Sequence, residues 1–378
     1  MLTFDIDKIL KTSRNDQCWC GSGLKFKRCH LDREMQKPIS TGELMHHDYS
    51  SSKITTCHAP LILQLECSQV IKAHTISKSS GLTNIADSTN HVLGLKINLA
   101  NFDRNNGKLK LEKIGINNAS TFKGFCAEHD KVLFSCFEDQ PFIATEEQCI
   151  ALAYRSVARA IYGQECLLVN ATFMRDMDKG SPLEHQIKFQ AYINQYELDI
   201  KKSINDLSIV KNNIGQGILQ ETYNPYVSLV IESSTPIPIV VSSLIEPTHD
   251  FKGNLIQNFS RLRENPEHLI LNAFSSYQKG FVVISWLREA ETIDRFINSL
   301  LNTRKENIFS VLITLFLSSS ENSYISPNWW DSLNLMQKNK IEYLLSIVAD
   351  PLVNVPDDIL VYDGIQFEGW NVEKIYRA

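Results

Sequence analysis

Residues 15–30 read Asn-Asp-Gln-Cys-Trp-Cys-Gly-Ser-Gly-Leu-Lys-Phe-Lys-Arg-Cys-His. Cys18 and Cys20 form one pair, Cys29 and His30 a second, and Gly21 and Gly23 stand between them. Thiolate and imidazole are the ligands zinc prefers, and four of them at tetrahedral corners make a closed structural site. Pairs this close along a chain converge only where the backbone reverses sharply. Gly21-Ser22-Gly23 supplies the reversal, because glycine enters positive φ freely and can turn backbone N–H groups towards the sulfurs. Three thiolates, one neutral imidazole and Zn²⁺ leave a single negative charge, which Lys25, Lys27 and Arg28 lie close enough to offset. So short a peptide has no core, and metal binding must supply its folding energy, on the order of 10 kcal/mol or more.

The rest of the composition is that of a globular chain: 378 residues, 43% hydrophobic and 21% charged, which excludes disordered and fibrous classes. The length suits two to three domains. The longest apolar run, Ile308 to Leu317, is too short to span a bilayer. The N-terminus alternates Asp5 and Asp7 with Leu2, Phe4 and Ile6 and lacks the basic start of a signal peptide, so a cytoplasmic protein without membrane contact is expected. A net charge of −5 argues against a generic polyanion binder and leaves nucleic-acid contact to a local patch. All nine cysteines precede residue 167, a clustering that in the cytosol points to metal before disulfides.

The 15–30 segment resembles the SEC-C motif, the small zinc module at the C-terminus of bacterial preprotein translocase ATPases that also occurs on many other prokaryotic proteins. The match lies in the order Cys-x-Cys-Gly-Ser-Gly, basic and aromatic residues, then Cys-His; Trp19 stands where proline is common. The resemblance implies Cys18, Cys20, Cys29 and His30 as zinc ligands. It also implies docking on a protein partner or a ribosome, which the cations Lys25, Lys27 and Arg28 suit.

A second constellation follows a polar stretch, Pro38 to Lys53, that reads as a linker with its His46-His47 pair in solvent. Cys57-His58 and Cys67 come first, and Cys126 with His129 much later. Cys126 and His129 are spaced to share one face of a helix's first turn. A loop-borne pair joined to a pair at a helix start describes a treble-clef zinc site. The long gap between the halves must hold insertions around the Asn-rich stretch Asn98 to Asn106. Two alternatives stay open: His58 could replace Cys57 as ligand, and these cysteines could be small buried hydrophobes, as Cys136, Cys149 and Cys166 are expected to be.

The strand-like Ile71-Lys72-Ala73-His74-Thr75-Ile76, just after the second cysteine, is similar to the first-histidine segment of HNH-type endonucleases. That resemblance implies His74 as the general base that activates water, Asn90 or Asn118 as the middle residue, and a Mg²⁺ or Mn²⁺ ion at the phosphodiester. The family's last histidine has no counterpart, since no histidine lies between His129 and His185; Asp130 or His91 would have to replace it. With His129 spent on zinc, a catalytically silent treble clef is the competing expectation.

Thr145-Glu146-Glu147-Gln148 reads as a capping box opening a helix that Gly163 ends, with Arg155 and Arg159 on a solvated face. A longer helix from Leu183 to Asn213 carries Ile193, Ile200, Leu207 and Ile214 at heptad spacing, a seam for an intramolecular hairpin or a dimer, with Gly215 and Gly217 as its end. Buried strands at Tyr226 to Ile231, Ile237 to Val241 and Phe281 to Trp286 precede helices at Ile293 to Leu301, Ile308 to Leu317 and Leu333 to Val348. The Trp329-Trp330 pair reads as core or lid. The expected architecture is α+β and multidomain: a SEC-C zinc knuckle (1–36), a polar linker (37–55), a treble-clef or HNH-like zinc domain (56–142), a helical hairpin (143–222) and an α+β C-terminal domain (223–378). The expected function is zinc-dependent recognition of nucleic acid or a ribonucleoprotein partner. The alternative is an HNH-like metal-dependent endonuclease.

Overall fold

The computed structural model describes residues 9–51, 54–96, 101, 104–105, 110–258, 266–349 and 353–378. The N-terminal alternation from Leu2 to Asp7 and most of the stretch Asn98 to Asn106 lie outside the described residues. The chain divides into two compact units, Met1–Ile54 with Ile161–Ser208, and Thr55–Ala160 with Ile209–Ala378. Its strands are β1 (Val70–His74), β2 (His91–Leu95), β3 (Leu111–Gly115), β4 (Thr121–Cys126), β5 (Tyr226–Ser233), β6 (Ile239–Ile245), β7 (Leu269–Ser276), β8 (Lys279–Leu287), β9 (Ser323–Ile325) and β10 (Lys374–Arg377). The helices of eight or more residues are α1 (Thr41–Ser51), α2 (Ala127–Glu138), α3 (Glu146–Met174), α4 (Leu183–Gln220), α5 (Glu291–Leu301), α6 (Ile308–Ser319) and α7 (Leu335–Ala349). The fold is mixed α and β.

In the larger unit the β-branched runs build one antiparallel sheet in the order β10-β5-β8-β7-β6-β9-β2-β3. Every residue of β5 and β7 is buried, as strands covered on both faces require. β7 and β8 are joined by Tyr277 and Gln278, both at positive φ, the two-residue turn whose twist matches paired strands. Helix α6 is buried from Ile308 through Leu317 and packs into the same core as Trp286, Phe296 and Phe367. Trp329 belongs to that core, its indole N–H donating to the Glu368 carbonyl at 2.7 Å, while Trp330 packs at its margin. The long gap between Cys67 and Cys126 is spent on the hairpin β2–β3, which joins the sheet edge by pairing Leu93 with Ile325.

A separate two-stranded sheet pairs β1 with β4, Val70 opposite Cys126 and His74 opposite Thr121, and α2 follows β4 without a loop. Gly124 is required there, since a Cβ would lie 2.0 Å from the Phe122 ring. The capping box forms as its residues dictate: Gln148 N–H donates to Thr145 Oγ1 at 3.2 Å, and Thr145 N–H to Gln148 Oε1 at 3.4 Å.

Several expectations are corrected. Thr41–Ser51 is helical despite its linker-like composition, and the His47 ring lies 3.8 Å from that of Phe173 instead of in solvent. Helix α3 runs through Gly163 to Met174, and α4 through Gly215 and Gly217 to Gln220. Gly215 marks a close approach, not an end: a Cβ there would meet the Tyr154 ring at 3.2 Å and Pro60 at 3.3 Å. The heptad residues Ile193, Ile200, Leu207 and Ile214, by contrast, are all buried, as a seam within the chain requires. Arg155 is buried, not solvated, with its guanidinium 4.0 Å from the centre of the Phe134 ring.

Candidate metal centres

The first centre is built by a reversal. Cys18 N–H donates to the Leu24 carbonyl at 2.7 Å, and Gly21 and Gly23 sit at φ of 81° and 74°, so the chain folds back before the short turn Phe26–Arg28 delivers Cys29 and His30. His30 Nδ1 lies 3.3 Å from Cys18 Sγ and 3.1 Å from Cys29 Sγ, and Cys20 Sγ lies 3.5 Å from Cys29 Sγ. All four ligand atoms fall within 4.8 Å of one another. A zinc tetrahedron with bonds of about 2.3 Å to sulfur and 2.0 Å to nitrogen has edges of about 3.5–3.8 Å, so the donor set and its spacing fit that ion. The Cys20 backbone N–H reaches the Cys18 sulfur, as the turn was expected to allow, and the Ser22 hydroxyl lies 3.3 Å from Cys29 Sγ. Hydrogen bonds from Cys18 and Cys29 hold the Cys20 thiol well below its usual range, and the same sharing pushes the Cys18 thiol up.

The second centre draws Cys57 and Cys67 from a loop and Cys126 and His129 from the start of α2. His129 Nδ1 is 3.5 Å from Cys57 Sγ, 3.5 Å from Cys67 Sγ and 3.2 Å from Cys126 Sγ. The loop is short and self-braced: Gln64 donates to the carbonyls of Cys57 and Ala59. Cys126 caps α2, accepting from His129 N–H, while its own N–H donates to Cys57 Sγ at 3.4 Å. Burial raises the Cys126 thiol, but the His129 backbone N–H and Ser68 outweigh it and bring it down to about 7. His58 is buried outside the cluster, its carbonyl accepting from the Tyr154 hydroxyl at 2.6 Å, and Cys57 is the member of the pair that lies within it. Of the remaining cysteines, Cys149 is buried and Cys136 and Cys166 are half-buried, none within either cluster.

His74 ends β1, with Nε2 donating to the Ile116 carbonyl at 2.9 Å. It lines a cleft of about 800 Å³ together with Asp130, Glu138, Arg155, Lys78 and Lys131. Burial lowers the His74 pKa, opposed by the Ile116 carbonyl and Glu138 and helped by Arg155 and Lys78. Arg155 bonds Glu138 at 2.6 Å and stands 3.8 Å from Asp130. Asn118 accepts from Lys72 at 2.5 Å, Asn90 sits in a turn at positive φ, and His91 bonds within its own turn to Thr89; none of the three lines the cleft.

Residues outside the motifs complete the first centre. His30 Nε2 donates to Asp178 at 3.1 Å, and Asp178 is held by Arg33 and Gln190. Asp178 lies far along the chain in a polar loop, and no spacing in the sequence announces it. Among the described residues no helix is long and apolar enough to cross a membrane.

No curated protein and no solved structure matches the chain. Residues 14–32 match the family model of the SEC-C motif, and that window contains Cys18, Cys20, Cys29 and His30, a cluster compatible with zinc binding.

Proposed function

We propose that the chain is a two-zinc protein that recognises nucleic acid or a nucleoprotein. Cys18, Cys20, Cys29 and His30 hold one ion, and Cys57, Cys67, Cys126 and His129 hold the other in a treble-clef arrangement. The observation that carries the zinc assignment is the convergence of two Cys₃His sets from distant positions, each with all ligand atoms within 4.8 Å. Recognition of a polyanion is supported by the knuckle surface, where Lys11, Arg14, Lys25, Lys27 and Arg28 are exposed and Asp16 is the one carboxylate between residues 11 and 31. Each such cation that meets a phosphate releases counterions, so binding weakens steeply with salt.

Elemental analysis of the purified chain is expected to give two zinc per molecule, and fluorescence anisotropy with labelled DNA and RNA oligonucleotides to show salt-dependent binding. Replacing Lys25, Lys27 and Arg28 together by alanine should weaken binding alike across sequences and lower the salt slope by about one per lost phosphate contact. Absence of binding at low salt removes the polyanion reading and leaves a protein partner.

A second reading, an HNH-like endonuclease, is favoured by one observation. The contact to the Ile116 carbonyl commits Nε2 of His74 as donor and leaves Nδ1 as a base at a cleft wide enough for a phosphodiester. Arg155 bonds Glu138 at 2.6 Å and pairs only at 3.8 Å with Asp130, so Asp130 would be the carboxylate that turns to a divalent ion. Plasmid, single-stranded DNA and RNA are to be incubated with Mg²⁺ or Mn²⁺ beside His74→Ala. Cleavage lost by about a hundredfold or more in the variant, with both zinc ions retained, establishes this reading; no cleavage of any substrate leaves the binding protein.

A further inference from the structure

We propose that Asp178, supplied by the loop between α3 and α4, is the positioning residue that orients His30 as a metal ligand; this rests on the zinc reading of the first centre. His30 turns Nδ1 towards the three thiols, so its proton sits on Nε2, and that N–H donates to Asp178 Oδ2 at 3.1 Å. The two side chains are 2% and 1% exposed, so solvent does not compete for this bond. A buried carboxylate needs compensation, and Asp178 has it: Arg33 Nε donates to Oδ1 at 2.5 Å and Gln190 Nε2 to Oδ2 at 2.8 Å. Arg33 itself is pinned, donating to the carbonyls of Cys29 and Arg175. The ligand loop is gripped on its other side as well, where the Cys20 carbonyl accepts from Asn194 at 2.9 Å and Arg175 at 3.3 Å.

A carboxylate behind a ligating histidine fixes the tautomer and ring orientation and raises the ligand's basicity, and its loss typically costs tenfold to a hundredfold in metal affinity. The unusual feature is the source. The SEC-C match ends at residue 32, whereas Asp178, Gln190 and Asn194 come from the helical segment. The knuckle is thus clamped within its own chain through the second hydrogen bond of its ligand.

The test is chelator competition on the full chain, wild type beside Asp178→Asn and Asp178→Ala, together with the absorption spectrum of the Co²⁺-loaded protein. Asp178→Asn keeps the size and an acceptor oxygen but loses the charge. One of the two zinc ions is expected to leave at chelator concentrations about tenfold to a hundredfold lower, the other unchanged. The thiolate–Co²⁺ bands are expected to shift, which a purely structural aspartate would not cause. Zinc release and Co²⁺ bands matching wild type in a folded Asp178→Asn overturn the proposal. Zinc content equal to wild type in Cys20→Ser would instead overturn the zinc reading beneath it.

Discussion

Gln148 sits buried at the entrance to α3 and makes four hydrogen bonds. Its carbonyl accepts from Ile143 and Thr145 N–H, and its amide donates to the carbonyls of Cys136 and Pro141. Thr145 adds one, accepting from Gln148 N–H. Removing the threonine oxygen therefore costs an ordinary cap, about 1 kcal/mol. Gln148→Ala strands several part-buried backbone groups and loses four hydrogen bonds, so its loss should exceed that of Thr145→Ala by about 1 kcal/mol or more. Urea unfolding of the two variants checks the order, and equal midpoints would reduce Gln148 to half of a capping box. The box itself is legible because threonine, acid and glutamine stand at the spacing that local geometry demands; the contacts to Cys136 and Pro141 are not, because they depend on where the preceding loop arrives. The same division runs through the metal centres. Cysteine and histidine at short spacing declare themselves, since few other arrangements use them so. Asp178 looks like any loop aspartate until folding places it behind His30.

At the scale of elements, internal pattern was the reliable signal and punctuation the unreliable one. Strands β5 and β8 follow from unbroken β-branched runs, and the heptad of α4 is the face that is buried. Gly163, Gly215 and Gly217 looked like stops, yet each lies inside a helix, because glycine costs only about 1 kcal/mol there and packing repays it where backbones must approach. β7 is hard to read from the sequence because Asn272, Ser275 and Ser276 dilute its apolar character. Inside the fold those groups are satisfied by neighbours, as in the Asn272 carbonyl oxygen accepting from the Ser156 hydroxyl at 3.1 Å. Buried hydroxyls bonded to one another leave no hydropathy trace. Arg155 misled for a similar reason: its spacing to Arg159 suggests a wet face, while Glu138 and two phenylalanine rings make a buried site for it.

For the molecule as a whole, the two clusters fall in different compact units, so loss of one ion should leave the other in place. The β1–β4 pair is only two strands, an arrangement marginal without added support. An ion held between the Cys57–Cys67 loop and the first turn of α2 would supply that support, and Cys126 serves it twice, as ligand and as cap. Cys126→Ala is therefore expected to lower the zinc content from two to one per chain. It should also speed proteolysis between residues 55 and 142 by about tenfold or more, because tenfold corresponds to about 1.4 kcal/mol and structural zinc contributes several times that. The knuckle and the sheet from β5 to β9 should keep their resistance, which mass spectrometry of the fragments reads directly. Unchanged zinc and unchanged fragments would return Cys126 to the apolar interior. The consequence reaches the cleft, because Asp130 and Glu138 face His74 from α2, the helix that Cys126 and His129 would tether. Any activity or binding that depends on His74 should therefore fail in Cys126→Ala together with the metal, whereas His74→Ala should remove it with both ions still bound.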